Sequence, residues 1–308
     1  MSLRVSVVIC TFNRAHLLPR LIDRVDAELG DHDGEIIVVD NASTDATRGV
    51  LERAAARHSR LRVVEEPRPG LSHARNAGVR ASSGDVVVFL DDDALPASRW
   101  LDEHLAVYED GDERLGAVGG RIELLFEPTP RPRWLSARFD SMLGRYDLGG
   151  VRRPYDDGLA TPPGGNMSFR RAALDEVGDF DVSLGRVQDT LSAGEEFELA
   201  HRLYRAGWSA IYNPAALALH LVPRQRLRPQ YYRARLLENW RSSRRLGELA
   251  REPHSKILAS VLRSAAHDAV HAVTSRSLAE RVYFALRTEA HLRYLGSVLA
   301  ELGRKNGR

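Results

Sequence analysis

The chain has 308 residues, 43% of them hydrophobic, enough to bury a sizeable core as one large domain or two ordinary ones. Its 44 Lys+Arg against 42 Asp+Glu leave a formal net charge of only +2, and a single cysteine, Cys10, excludes an intrachain disulfide. No stretch reaches the ~18 uninterrupted apolar residues of a spanning helix, and Met1 to Arg4 lead into a strand-like run without a signal-peptide core, so a cytoplasmic protein is expected, soluble or peripheral at the inner membrane face.

In chain order, Val5-Ser6-Val7-Val8-Ile9-Cys10 predicts a buried strand with Cys10 as a small hydrophobe within it. Residues 15–29 have helical spacing in Leu17, Leu18, Leu21, Ile22 and Val25. Residues 35–40 predict a second strand, 46–58 a helix, 61–64 a third strand and 85–90 a fourth. Strands made almost wholly of β-branched residues and separated by helices imply a parallel sheet covered on both faces, a Rossmann-like α/β half. Ligands of such sheets sit at the carboxyl ends of the strands. There stand Thr11-Phe12-Asn13-Arg14, Asp40-Asn41-Ala42-Ser43-Thr44-Asp45, Arg68-Pro69-Gly70-Leu71-Ser72 and Asp91-Asp92-Asp93, whose shared polarity predicts one common site.

Between residues 127 and 163 the composition shifts to Pro, Arg, Trp and Gly, predicting a long irregular excursion of the functional kind. A helix is expected over 194–206, with Leu199 and Leu203 on one face, then a short strand over 208–212. After Pro223 the pattern is helical to the end, with Leu278, Val282 and Leu286 spaced by four. Gly119-Gly120 and Gly149-Gly150 lack dinucleotide or Walker spacing and are expected as turns, and Gly164-Gly165 as an acceptor-side loop. His267-Asp268-Ala269-Val270-His271 imitates a zinc-protease helix, but Asp268 replaces the basic Glu and no third ligand is near in sequence, so a metal is not expected there.

Charge is unevenly divided. Residues 226–308 carry 17 Lys+Arg against 7 Asp+Glu, a net of +10, which leaves −8 for residues 1–225. Charge alone leaves anionic lipid, a phosphorylated substrate and nucleic acid open as partners of this extension. Arg241, Arg244 and Arg245 share a helical face suited to phosphates, and peripheral membrane contact through these helices is set against a solvated helix packed on the body.

Three consecutive carboxylates repel one another, and ionising Asp91, Asp92 and Asp93 together requires a cation. A hard divalent ion held by one or two carboxylates plus substrate phosphates meets that need. The apolar run from Val86 to Leu90 feeding into these acids favours a site over a solvated acidic turn.

Four blocks carry a resemblance: Val-Val-Ile-Cys-Thr-Phe-Asn-Arg (7–14), Val-Asp-Asn-Ala-Ser-Thr-Asp (39–45), Gly-Leu-Ser-His-Ala-Arg-Asn-Ala-Gly (70–78) and Phe-Leu-Asp-Asp-Asp (89–93). With Pro-Gly-Gly-Asn-Met-Ser-Phe-Arg-Arg (163–171), Gly-Asp-Phe-Asp (178–181), Gly-Glu-Glu-Phe-Glu-Leu (194–199) and His220, they resemble the ordered blocks of family 2 glycosyltransferases, inverting enzymes of the GT-A fold. The resemblance implies a GT-A catalytic domain over 1–225, with a nucleotide-sugar-binding half at 1–125 and an acceptor and base half at 126–225, followed by a basic helical extension at 226–308. It further implies a nucleotide diphosphate sugar donor (UDP-, GDP- or dTDP-linked), a hydroxyl acceptor, Mn²⁺ or Mg²⁺ as cofactor and no nucleic-acid partner.

Position by position, it implies that Thr11, Asn13 and Arg14 line the nucleotide pocket and that Asp40 accepts a hydrogen bond from the base. Asn41 and Asp45 belong to the same donor site, Asp45 holding the loop, and Arg75 is implied near the donor phosphates. Asp91 and Asp92 face ribose, sugar or metal, Gly165 and Asn166 complete the donor side, and Asp93, Asp91 and His220 are the implied metal ligands. The family usually has Glu-Asp where this chain has Glu195-Glu196, so Glu196, at the Asp position, is preferred to Glu195 as general base. The Gln-x-x-Arg-Trp of processive relatives is matched only by Gln230-Tyr231-Tyr232-Arg233-Ala234, which favours single sugar addition. Two competing readings are a sugar nucleotidyltransferase, whose Gly-rich loop is absent after the first strand, and a non-catalytic nucleotide-sugar-binding protein.

Overall fold

The computed structural model describes residues 3–110, 112–155, 161–186, 194–237 and 254–306, with side chains described for 259–298 of the last stretch. Arg241, Arg244 and Arg245, expected to form a basic face, lie outside the described residues. The chain divides into two compact units, Met1–Glu123 with Arg145–Leu221, and Leu124–Gly144 with Val222–Arg308.

The first unit is built on a mixed sheet. Strands β1 (Val5–Thr11), β2 (Gly34–Asp40), β3 (Leu61–Glu65) and β4 (Val86–Leu90) run parallel in the order β3-β2-β1-β4. Five more strands continue the sheet: β5 (Ala94–Pro96), β6 (Leu115–Leu125), β7 (Arg153–Pro154), β8 (Asn166–Arg170) and β9 (Ser209–Leu221). The path runs on as β8-β6-β9-β5, with β7 on β9. The pairings β4–β8, β6–β8, β5–β9 and β7–β9 are antiparallel. Strands β1, β2 and β4 match the β-branched runs and are buried on both faces, whereas β3, at the edge, buries only Leu61 fully.

Helices α1 (Leu18–Leu29), α2 (Thr47–Ala55), α3 (Leu71–Ala81), α4 (Trp100–Asp110), α5 (Arg171–Val177) and α6 (Glu195–Arg205) flank the sheet. Helix α1 buries Leu18, Leu21, Ile22, Val25 and Leu29 and carries Pro19 in its first turn, where the missing N–H is harmless. Helix α3 lies close on β1 because of Gly78, where a Cβ would fall 2.3 Å from Val8 Cγ1. The apolar core between these layers includes Phe89, Phe169 and Phe180, which meet edge to face at 5.6–6.2 Å.

Two expectations are corrected. The short strand over 208–212 is a 13-residue strand, because the alanine-rich continuation lies between β6 and β5, with Ala218 to His220 paired to β5. Gly119-Gly120 is not a turn but lies within β6, where a Cβ on Gly120 would sit 2.1 Å from the Ala216 carbonyl and 2.2 Å from Asn166 Nδ2.

The second unit contains a 3₁₀ helix (Ala137–Leu143), a helical stretch at 229–237 and a hairpin of α7 (His254–Thr274) and α8 (Leu278–Asn306). Phe139, Tyr232 and Leu286 share its core, with the Phe139 and Tyr232 rings 4.4 Å apart. Asp268, in the zinc-protease imitation, faces inward and accepts a 2.8 Å hydrogen bond from Arg287 Nε, with His291 Nδ1 at 3.4 Å. No helix among the described residues is long and apolar enough to cross a membrane.

Candidate active site

The expected site residues collect where the parallel strands end. Thr11, closing β1, donates from Oγ1 to Asp92 Oδ2 at 2.7 Å, while Arg14 stands 3.9 Å from both Asp92 and Asp93. Asn13 takes the left-handed φ of 55° that Asn tolerates, and its Oδ1 accepts from the N–H groups of Thr44 (2.7 Å) and Asp45 (3.2 Å). Asp45 accepts from the Thr47 and Ala15 N–H groups, so Asn13 and Asp45 lock the first two loops together. Asp40 accepts from the Ser43 N–H at 3.1 Å.

Asn41 faces the scaffold. Its Nδ2 donates to the carbonyls of Glu66 and Arg68 and its Oδ1 accepts from the Gly70 N–H, pinning the turn into α3. Asn166 is buried among Trp100, His104 and two backbone carbonyls. Its Oδ1 accepts from Trp100 Nε1 (2.7 Å) and His104 Nε2 (3.0 Å), and its Nδ2 donates to Arg121 and Ala216. With both ends satisfied internally it anchors the preceding Gly164-Gly165 loop rather than facing a ligand.

That loop joins the two acidic groups. A Cβ on Gly165 would lie 2.6 Å from Asp91 Oδ2, and one on Gly164 would lie 2.8 Å from Arg75 Nη2 and 3.6 Å from Glu196 Cδ. Two adjacent glycines therefore let backbone pass between Asp91 on one side and Arg75 with Glu196 on the other. Arg75, expected near donor phosphates, is buried in an ion pair, donating to Glu195 Oε1 at 2.6 Å and to the Gly164 carbonyl at 2.9 Å. The Phe89 and Phe180 rings lie 6.0 and 5.4 Å from its guanidinium carbon. Sequence reasoning missed this pair, whose partners lie 120 residues apart.

The acids differ electrostatically. Burial opposes ionisation of Glu195, but the Arg75 charge holds its pKa below the usual range. Burial and then the Glu195 charge raise Glu196, whose Oε2 is buried with no hydrogen-bond partner among the described residues. In the triplet, burial and then Asp93 raise Asp91 and push Asp92 up to about 7. Pairing of β5 with β9 sets Ala94 opposite His220 and brings His220 Nε2 to 3.2 Å from Asp93 Oδ1. No three His, Cys, Asp or Glu side chains among the described residues form a complete metal cluster. Asp93 and His220 supply oxygen and nitrogen donors side by side, and Arg14 and Arg75 do not offset the burial and mutual repulsion that raise Asp91 and Asp92, which fits a divalent cation whose other ligands come from substrate.

A mixed sheet with an acidic triplet at the end of its central parallel strand and a carboxylate pair across a glycine loop defines a GT-A class of sugar-transferring enzyme. The chain belongs to glycosyl transferase family 2, whose family model matches residues 6–178, a span that holds the triplet and Gly165 but ends before Glu195 and His220. It is 28% identical over 227 residues to a glucosyl-dolichyl phosphate glucuronosyltransferase of Haloferax volcanii, covering 71% of this chain and 69% of that protein. It is 30% identical over 219 residues to a pre-mycofactocin glycosyltransferase of Mycobacterium tuberculosis, covering 70% of this chain but only 42% of that protein. In fold it is similar to a mannosyltransferase of Pyrobaculum calidifontis, solved in complex with GDP-Man and Mn2+, at a TM-score of 0.60 and 23% identity, covering 96% of this chain and 88% of that one.

Proposed function

We propose that this glycosyltransferase moves one sugar per encounter from a nucleoside diphosphate donor to an acceptor hydroxyl, by single displacement with inversion at the anomeric carbon. The observation that carries this reading is the Gly164-Gly165 loop, which has Asp91 against one residue and Arg75 with Glu196 against the other. Residues 1–225 form the catalytic part, with Thr11, Asn13, Arg14, Asp40 and Asp45 around the nucleotide.

Asp93, Asp91 and His220 would hold Mn²⁺ or Mg²⁺, with Asp92 beside them. Bound there, the cation would supply charge neutralisation for the departing diphosphate, as a Lewis acid does. Glu196 takes the proton from the acceptor oxygen. Its raised pKa suits a base better than that of Glu195, which Arg75 keeps ionised and engaged. Arg75 and Glu195 orient the Gly164 carbonyl and the start of α6, so the base is positioned without itself being neutralised. Thr11 fixes Asp92, and Arg14 places positive charge beside the acids. The acceptor is a surface-glycan or lipid intermediate or a natural product, and the basic C-terminal helices make peripheral contact with an anionic membrane.

The protein is incubated with UDP-, GDP- and dTDP-sugars, with Mn²⁺, Mg²⁺ or chelator, and nucleoside diphosphate release is followed. Release that chelator stops supports the reading, and NMR of the first-formed anomer reads the stereochemistry. Glu196→Gln is expected to lower turnover by roughly 10²–10⁴, the range of a lost general base. Full activity in that variant would sink the base assignment, and pyrophosphate release would sink the transfer reading.

A further inference from the structure

We propose that the outer face of the α7–α8 hairpin is a docking surface for an anionic lipid bilayer. The inference deepens the peripheral contact named above and leaves the transfer chemistry aside. Helix α7 turns Val261, Ala265 and Asp268 inward. On its opposite face Leu262, Ala266, Val270 and Val273 stand exposed at helical spacing, Val273 at 79%. Helix α8 exposes Leu278 and Leu292 in the same way, and Ala269, Ala272, Glu289 and Leu292 line a groove of about 430 Å³ between the two helices.

These two helices carry five of the nine large hydrophobic side chains exposed among the described residues. A water-facing helix shows the reverse pattern, with charge outside and apolar residues inside. Here Asp268 and His291 are buried among the apolar residues of the hairpin, and the outer face carries aliphatic groups together with Arg263, Arg276 and Arg281. Such a concentration of exposed aliphatic groups on one hairpin marks an interaction surface rather than scattered surface leucines.

Charge selects the partner. Arg263, Arg276 and Arg281 are exposed beside the stripes, while none of the hairpin's acids with a described side chain is. Glu280 accepts from Ser136 and Arg138, and Glu289 from Arg233 and Arg293. A second copy of this face would set arginine against arginine. Lipid headgroups bearing phosphate offer the complementary charge, with acyl chains for the aliphatic stripe.

The test is flotation of the full chain with vesicles of phosphatidylcholine alone or mixed with phosphatidylglycerol, without donor or acceptor. Binding is expected to be roughly tenfold stronger or more on the mixed vesicles. Val270→Asp/Val273→Asp should weaken it by about tenfold or more with an unchanged melting temperature, since both residues are exposed. Arg263→Gln/Arg276→Gln should erase most of the preference for phosphatidylglycerol. Equal binding to both vesicle types, or wild-type binding by the Asp variant, overturns the proposal. So does a solution dimer that the Asp pair splits, which would give this face to a second copy. Nucleoside diphosphate release is assayed on the same samples without vesicles, so failure of docking and failure of the transfer reading are read separately.

Discussion

Arg75 and Glu195 allow the site's electrostatics to be perturbed in opposite directions. Both are almost wholly enclosed, so removing one leaves the other as a buried, uncompensated charge, a loss of about 3–5 kcal/mol for such pairs. Arg75→Met should fall at the upper end, because the Gly164 carbonyl also loses its donor and the Phe89 and Phe180 faces their cation. Glu195→Gln should fall lower, since Asp91 and Glu196 still act on Arg75. The double variant buries no lone charge and should regain most of the loss, measured by urea unfolding. Activity carries the sharper sign. Glu196 must be deprotonated to act, and burial followed by the Glu195 charge raises its pKa while Arg75 lowers it. The acid limb of kcat/KM should therefore move to lower pH in Glu195→Gln and to higher pH in Arg75→Met. Limbs that stay fixed, or that move the same way in both variants, would refute the electrostatic account of the base.

Gly165→Ala pushes a methyl against Asp91 Oδ2 at 2.6 Å and should weaken nucleoside diphosphate binding about tenfold, read by calorimetric titration, with ~1–3 kcal/mol of destabilisation from overpacking. Asn41→Ala removes three hydrogen bonds and strands the Gly70 N–H, for a loss of about 3 kcal/mol in chemical unfolding. Burial lowers the His104 pKa to about 4. Its Nε2 carries the proton given to Asn166, and its Nδ1 faces Ser168. Because the folded value lies below the ordinary value near 6.5, the unfolded chain binds the proton first. The stability His104 contributes is complete above pH ~6.5 and is lost as pH falls toward about 4, by about 3 kcal/mol; His104→Gln should lack this slope in pH-dependent unfolding.

The parallel half of the sheet was legible because β1, β2 and β4 are runs of Val, Ile and Leu that suit a sheet buried on both faces. Strand β8, Asn-Met-Ser-Phe-Arg, and the glycines of β6 carry no such signal; Asn166 and Ser168 of β8 are satisfied by His104 and Tyr108 of α4, and β6 is paired to β8. The acidic triplet was visible through its place after β4, and the Glu195-Glu196 pair through its place at the start of a helix. What local pattern cannot carry is the ion pair of Arg75 with Glu195, 120 residues apart, or the inward turn of Asn41 and Asn166, whose residue type suits a ligand pocket as well as a scaffold.

The paired glycines also bear on how this enzyme could be altered. Asp91 and Glu196 flank neighbouring residues of one loop, so on the proposed reading a shift that opens room for a larger donor at Gly165 acts through a single peptide plane on the residue beside the carboxylate opposite. Changes in donor size and acceptor reactivity will be inherited together. A library that varies donor preference while sparing turnover should leave Gly164 and Gly165 fixed and draw its diversity from the outer loop of Ser43 and Thr44.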